Sequence, residues 1–546
     1  MNLRKTLLPL CLLATHVRLP AQTVADPTMP RVDRTGVHPA LIVDGKPFLM
    51  LSAQMNNSSA WPATLPAVWS VMDKLGSNTI EAPVYWEMLE PQEDTFDFAP
   101  VDALLQGARG HGKRLVLLWF GTWKNGSPGY APEWVKRDPK RFPLALKADG
   151  TPLFSLSPFG EASLHADEHA FTALMQHLKS VDPQHTVLMV QVENEAGVWG
   201  GARDHSAMAN RVFGQPVPRE VLTAMGKEGQ HGSWAEVFGT DADETFYAWA
   251  IAHYIEQIAA AGKRVLPLPL YVNAALRDPL PPGAPGTFES GGPTFDVLPL
   301  WHAVAPSLDG IGPDIYLPEY EKYTAVLQQY AFPGNAFFVP ETGNRTAYAR
   351  YFFASLGAGA FGWSPFGMDA TGYVNYPLGA PRIDDDTIAP FALNYRIAGS
   401  MSRELALWNQ QGRVRGVAED PKVHTQQIEL PPVDKMPARW TATVSYGEPS
   451  FYSSKPAPGN SMPEGEALVV ALGPDEFLVA GVQCRVEFNA LAVAGAKKQR
   501  MWVSVEEGTY EEGVWKRSRL WNGDQTDYGL NFTATPQVLR VRLLAF

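Results

Sequence analysis

Two glutamates stand where apolar runs stop. The run 186–190 leads through Gln191, Val192, Glu193 and Asn194 to Glu195, and the run 336–340 leads directly to Glu341. Carboxyl groups at the ends of two separate buried strands can converge on one glycosidic bond. One then protonates the departing oxygen, and the other provides an anion beneath the anomeric carbon. Taken singly, each glutamate reads equally well as part of an exposed acidic loop. Their joint occurrence at the ends of a fourth and a seventh strand is the informative observation.

The elements that must carry them can be counted. Strand signals fall at 48–51, 78–85, 114–120, 186–195, 265–273, 310–316, 336–341 and 359–364. Helical spacing recurs between them, with Leu65, Val68, Trp69, Met72 and Leu75 closed by Gly76, and with Tyr247, Ile251, Ile255 and Ile258 stopped by Gly262. The run 114–120 is apolar throughout, the mark of a parallel strand buried on both faces. Eight strands separated by helices predict a closed (β/α)8 TIM barrel over residues 35–400. The irregular stretch 200–239 exceeds an ordinary connector and is expected as a rim element over the site. A last helix is predicted over 388–409. Beyond it, alternating segments at 439–445, 467–472 and 538–544, punctuated by turn residues such as those of 456–465, predict a C-terminal antiparallel β-sandwich over 410–546.

Composition fits one large catalytic unit with an appendage. The chain has 546 residues, 45% of them hydrophobic, and 16 Trp, enough for a barrel-sized core and a second domain. Its formal charge of -12, without a basic tail or stripe, argues against nucleic acid and suits a neutral polar ligand such as an oligosaccharide or polysaccharide. Residues 1–22 read as an export signal: Arg4 and Lys5, the apolar stretch 7–14, then a polar segment ending near Ala21. That stretch is too short to span a bilayer, and no later run reaches about 20 residues, so no membrane insertion is expected after cleavage. Loss of Arg4, Lys5 and Arg18, with no acid, would take the charge from -12 to -15. Cys11 would go too, leaving Cys484 without an intrachain disulfide partner. Leu10 before Cys11 makes a poor lipoprotein site. The expected location is the bacterial periplasm or outside the cell.

Further residues carry a family resemblance. Gln191 to Glu195 with Gly197, preceded by Asn78-Thr79-Ile80, Tyr85-Trp86, Glu90-Pro91 and the stretch 94–98, resembles the β-galactosidases of glycoside hydrolase family 35, over roughly residues 35–400. The resemblance implies a retaining mechanism on terminal β-galactosides, with Glu195 as general acid/base and Glu341 as nucleophile. The β-rich C-terminal part is similar to the domain appended in a bacterial subgroup. One departure concerns the third strand, where many members hold galactose hydroxyls with an Ala-Glu pair. Here the chain reads Trp123-Lys124-Asn125, so that contact does not transfer, and Lys124 and Asn125 are the polar groups in its place.

Oxocarbenium chemistry gives other strand-end residues roles. Asn194 is placed to hydrogen-bond the sugar 2-hydroxyl, Tyr316 to orient Glu341, and Trp363 to form an apolar platform beneath the sugar. Gln54, Asn56, Tyr85, Trp86, Asn125 and Asn273 are further substrate-contact candidates. The two-carboxylate mechanism needs no cofactor and no metal. The spacing Gly357, Gly359, Gly362 matches a dinucleotide fingerprint, but it runs from helix into strand, the wrong order, and close packing is expected instead. His165 and His169 have metal-compatible spacing without an evident third ligand, and Asp384-Asp385-Asp386 is expected to start a helix. No phosphate-binding loop and no Gly-x-Ser-x-Gly elbow occurs. Two alternatives stay open: the same barrel acting on another β-glycoside (glucoside, mannoside or arabinoside), and a non-catalytic carbohydrate-binding protein.

Overall fold

The computed structural model describes residues 26–448, 457–492 and 498–546, and the expected export signal lies outside them. Eight parallel strands close into a barrel: Met50–Gln54, Thr79–Tyr85, Arg114–Lys124, Val187–Asn194, Leu270–Ala275, Gly310–Ile315, Val339–Thr342 and Gly362–Pro365. Closure comes from pairing of the eighth strand with the first and of the fourth with the fifth. Most of these strand residues are buried, because helices such as Leu65–Leu75, Ala99–Gly110, Glu161–Val181 and Ala242–Val265 cover the outside. A small sheet of Arg31–Asp33, Ala40–Val43 and Lys46–Phe48 lies at the barrel's N-terminal end, where Arg34 donates to the carbonyl of Asp309 at 2.6 Å.

Some expected boundaries shift for local reasons. The fifth strand starts at Leu270 rather than 265, since the preceding helix runs on to Val265 and Pro267 and Pro269 cannot donate to a ladder. Gly262 is therefore no stop. It sits inside that helix, where an added Cβ would meet the ring of Phe171 at 2.3 Å, so it lets two helices touch. The predicted helix over 388–409 breaks into Asp385–Gly399 and Ser402–Gln410, and Asp384 caps the first by accepting from the Thr387 N–H at 3.0 Å.

The C-terminal part is an antiparallel sandwich. Six strands pair in the order Val414–Ala418, Glu466–Gly473, Glu476–Val482, Val538–Ala545, Arg500–Glu511, Val514–Trp521, over a four-stranded sheet built from Thr425–Glu429, Trp440–Tyr446, Cys484–Ala490 and Leu530–Phe532. The six-stranded sheet serves two cores. On one face Val469, Ala471, Val479 and Val541 meet the other sheet; on the opposite face Leu468, Val470, Leu478 and Ala480 join the core of the barrel. Alternation of side chains along a strand makes this division automatic, and it explains why 467–472 is apolar without a break.

The contact depends on backbone approach. Helix Tyr351–Gly357 lies against strand Val414–Ala418, with Gly357 and Gly416 facing each other: a Cβ on Gly416 would lie 1.8 Å from the carbonyl oxygen of Phe353. The glycines that mimic a dinucleotide motif thus do packing work. Gly416→Ala is expected to destabilise the fold by about 1–3 kcal/mol, read as a lower midpoint of thermal unfolding. A chain ending at Asn409 should aggregate through its uncovered apolar face; a folded, monomeric product would show that the shared core is dispensable.

Candidate active site

Local backbone strain shapes the end of the fourth strand. Glu193 (φ 63°) and Glu195 (φ 45°) both adopt the left-handed region, uncommon outside glycine. In a regular strand the two side chains would share a face. Here Glu193 turns to the third strand, where its carboxyl accepts from the backbone N–H groups of Trp123 at 2.6 Å and Thr122 at 3.2 Å, whereas Glu195 opens into a cavity. The register between the third and fourth strands shifts between Trp119 and Lys124, an irregularity of the kind that re-aims side chains beside functional sites. Asn273 fixes the result: its Oδ1 accepts the Glu195 N–H at 2.8 Å, and its Nδ2 donates to Asp314 at 2.6 Å.

Glu341 approaches from the seventh strand. Gln54 Nε2 donates to one of its oxygens at 3.0 Å, and the Tyr316 hydroxyl donates to the other. Glu195, Asp314 and Glu341 each offer a carboxylate oxygen to a cluster whose oxygens all lie within 4.8 Å of one another. Lys124 Nζ stands 3.8 Å from Glu195 and also donates to Asn125 Oδ1. Burial, then the neighbouring Glu195, pushes Glu341 up to about 7, against Lys124 and the two donors. Burial and both glutamates hold Asp314 well above the usual carboxylate range. Glu289 on the loop after the fifth strand is pushed up to about 7 by burial and by Glu195. Deeper in the barrel, burial raises Glu81 to about 8. The three clustered oxygens would suit a hard cation, but the Lys124 ammonium already supplies positive charge at this mouth.

The cavity measures about 390 Å³, at the small end for a small-molecule site. Of the residues expected from the sequence, Glu195, Glu341, Tyr316 and Asn125 line it. Gln54 and Asn273 act one step back, on Glu341 and on the Glu195 backbone. Asn194 and Asn56 are buried beside these groups, and both atoms of each side-chain amide lack a protein partner.

Three expected contacts are corrected. Trp363 is no sugar platform: it points outward into the helix layer, fully buried, stacking on Phe391 and donating to the Tyr323 hydroxyl at 3.1 Å. Phe366, three residues on, lines the cavity instead, as does Tyr316. Tyr85 stacks on Tyr130 and its hydroxyl accepts from the Ala60 N–H; Trp86 donates to Glu90 at 2.8 Å. Neither lines the cavity. No residue of the stretch 200–239, expected as a rim element, lines the cavity. The stretch forms three short helices: Ala207–Phe213 and Trp234–Phe238 pack beside helix Ala242–Val265 through Phe213, Trp234, Phe246 and Trp249, and Arg219–Ala224 packs against helix Leu298–Val304.

Sequence reasoning missed Asp314, Glu289, Asn57 and Phe366. Asp314 left a signal, a charge inside an apolar strand two residues before Tyr316 and hence on the same face. Away from the cavity, His165 and His169 do not converge on a shared ligand set. His169 instead faces Glu90 and Asp94, and Glu90 is already engaged by Trp86 and by the Asp94 N–H.

Comparison with known proteins adds three findings. Residues 391–533 match a family described as a domain of unknown function, DUF5597. A β-galactosidase of Xanthomonas manihotis is 28% identical over 201 residues, covering 31% of this chain and 33% of that protein, so the chain spans about a third of the curated relative it matches. Crystal structures of β-galactosidases from Bacillus circulans sp. alkalophilus and from Marinomonas ef1 are 14% and 12% identical with TM-scores of 0.47 and 0.46. They cover 65% and 66% of this chain, and 57% and 61% of their own.

The electrostatics predict a titration pattern. Followed by NMR of labelled glutamate carboxyls, Glu341 should titrate near pH 7. Lys124→Met should move the midpoint up, because a cation favouring the ionised form is lost, and Glu195→Gln should move it down, because a like charge is lost. Shifts of the opposite sign would contradict the arrangement.

Proposed function

We propose that the chain is an exported retaining exo-β-galactosidase of the family 35 type, releasing terminal non-reducing β-D-galactosyl residues from oligosaccharides or polysaccharides. The observation that carries the reading is the approach of Glu195 and Glu341 to within 4.8 Å, oxygen to oxygen, at the mouth of the barrel. Retaining enzymes hold their carboxyls about 5–5.5 Å apart, whereas inverting ones leave about 6.5–9.5 Å for a water. Partial identity to a protein named a β-galactosidase supports the choice of sugar. The export signal expected over 1–22 supports a periplasmic or secreted location.

In the first step Glu341 attacks the anomeric carbon while Glu195 gives its proton to the departing oxygen, leaving a glycosyl ester on Glu341. In the second, Glu195 takes a proton from water, which displaces Glu341 and frees the sugar. The Tyr316 and Gln54 donors favour the anion on Glu341, the form required for attack, against the burial and the Glu195 charge that raise it. The Lys124-Asn125 pair at the end of the third strand favours a second reading, the same chemistry on another β-glycoside. A panel of aryl β-glycosides decides between them: catalytic efficiency on glucosides equal to or above that on galactosides would overturn the galactose assignment.

The roles of the two glutamates separate kinetically. Glu341→Ala should lower turnover of every glycoside by at least about a thousandfold. Glu195→Ala should cost about 10²–10⁴ on poor leaving groups and least on activated aryl galactosides. Azide should rescue Glu195→Ala as the β-galactosyl azide and Glu341→Ala as the α-azide, since the anion enters from opposite faces; the reverse pattern would exchange the roles.

A further inference from the structure

The cavity holds little beyond the reacting sugar, yet the surface around it is unlike the rest of the barrel. Five large aromatic side chains among described residues 26–400 are strongly exposed: Trp61 (45%), Phe154 (73%), Trp199 (60%), Tyr373 (59%) and Tyr376 (66%). Every one lies between the C-terminal end of a barrel strand and the long helix that leads to the following barrel strand, or for the eighth strand helix Asp385–Gly399, after the first, third, fourth and eighth strands. Those segments emerge on the face that carries the carboxylates. Scattered exposed rings need no explanation, but confinement to one face around one cavity does.

Two of them adjoin the cavity wall in sequence. Trp199 follows Glu195 by four residues, and its neighbour Val198 is bridged through backbone hydrogen bonds of 2.9 and 3.0 Å to Ser290, next to the lining residue Glu289. Tyr376 stands between Asn375 and Leu378, both of which line the cavity. We propose that Trp199 and Tyr376, continued by Trp61 and Tyr373, form a leaving-group platform that binds a neutral glycan chain of several sugar units extending out of the cavity. A pyranose has an apolar C–H face and a rim of hydroxyls, so it matches exposed rings interspersed with polar groups better than a purely apolar partner does. The lining carries five carboxyl groups, Glu195, Asp278, Glu289, Asp314 and Glu341, against the one ammonium of Lys124, and Asp278 is itself paired with Lys322, so the mouth offers no cationic cluster to an anionic chain. The position fits the chemistry as well: Glu195 protonates the departing oxygen, so the chain attached to that oxygen leaves on its side, where Trp199 lies.

The platform deepens the glycosidase reading and rests on it for the direction of the chain. The test measures binding and turnover separately in the full-length protein. Calorimetry with the Glu341→Gln protein should show a neutral galactose-terminated hexasaccharide binding about tenfold more tightly than the disaccharide. That advantage should vanish when Trp199→Ala and Tyr376→Ala are added, without change in the thermal unfolding midpoint. In the otherwise native enzyme the same two substitutions should lower the ratio of kcat/KM for the hexasaccharide over that for an aryl galactoside about tenfold. Equal affinity for the two lengths, or an advantage that survives both substitutions, overturns the platform. Length-dependent binding without hydrolysis of any aryl glycoside overturns the catalytic reading instead and leaves the platform standing.

Discussion

Three carboxyl groups within 4.8 Å of one another, shielded from water and faced by one ammonium group, cannot all be ionised. Everything else at the mouth of the barrel decides where the protons stay. Glu341 receives two side-chain donors, which favour its anion. Asp314 receives one, from Asn273, and its second oxygen has no protein partner; burial, then the two glutamates, favours its protonated form. Lys124 limits the rise at Glu341 without cancelling it. Neutral donors on Glu341, rather than a salt bridge to it, favour the anion that a nucleophile needs, against the burial that raises it.

Such a cluster needs rigid support, because mutual repulsion would drive the carboxyls apart. The fourth strand supplies it at the cost of two left-handed residues. Glu193 is the anchor: its carboxyl is clamped on the backbone of the bulged third strand, and behind it lies Asp167, which accepts from Trp119 Nε1 at 2.7 Å and from the Thr122 N–H at 2.9 Å. Burial and Asp167 raise Glu193 well above the carboxylate range, which favours its protonated form. Gly121 is required between them, since a Cβ there would lie 2.7 Å from Glu193 and 2.8 Å from Asp167. The Gln-Val-Glu-Asn-Glu segment therefore encodes an anchor and a reagent two residues apart, with the strain held by buried hydrogen bonds.

What could be read from the sequence follows the strength of each physical signal. Parallel strands buried on both faces leave runs too apolar to be mistaken, and all eight are found, with errors only at their ends. The parity of a strand-end side chain leaves no such trace. Trp363 occupies the right position along the eighth strand and the wrong side of it, because inward or outward direction is set by the ladder with Val339 and Leu51. Buried charges inside apolar strands, Glu81, Glu193 and Asp314, were present as signals, since such groups persist only with partners or a purpose. Glu289 and Phe366 lie on irregular connectors, where no periodicity indicates what faces the cavity.

The distribution of support around the barrel explains why one face stays free. The N-terminal sheet lies at the bottom, and the sandwich contributes a face of its six-stranded sheet to the barrel core beside helix Tyr351–Gly357. Among the described residues none beyond Leu378 lines the carboxylate cavity, and the second domain meets the barrel through the shared core. With bottom and flank tied down, connectors at the top are relieved of core packing and can expose rings to solvent. Interactions with parts of a substrate remote from the reacting bond help to hold it in the reactive geometry. A small, carboxyl-lined cavity can therefore remain specialised for bond cleavage while the loops above it provide reach.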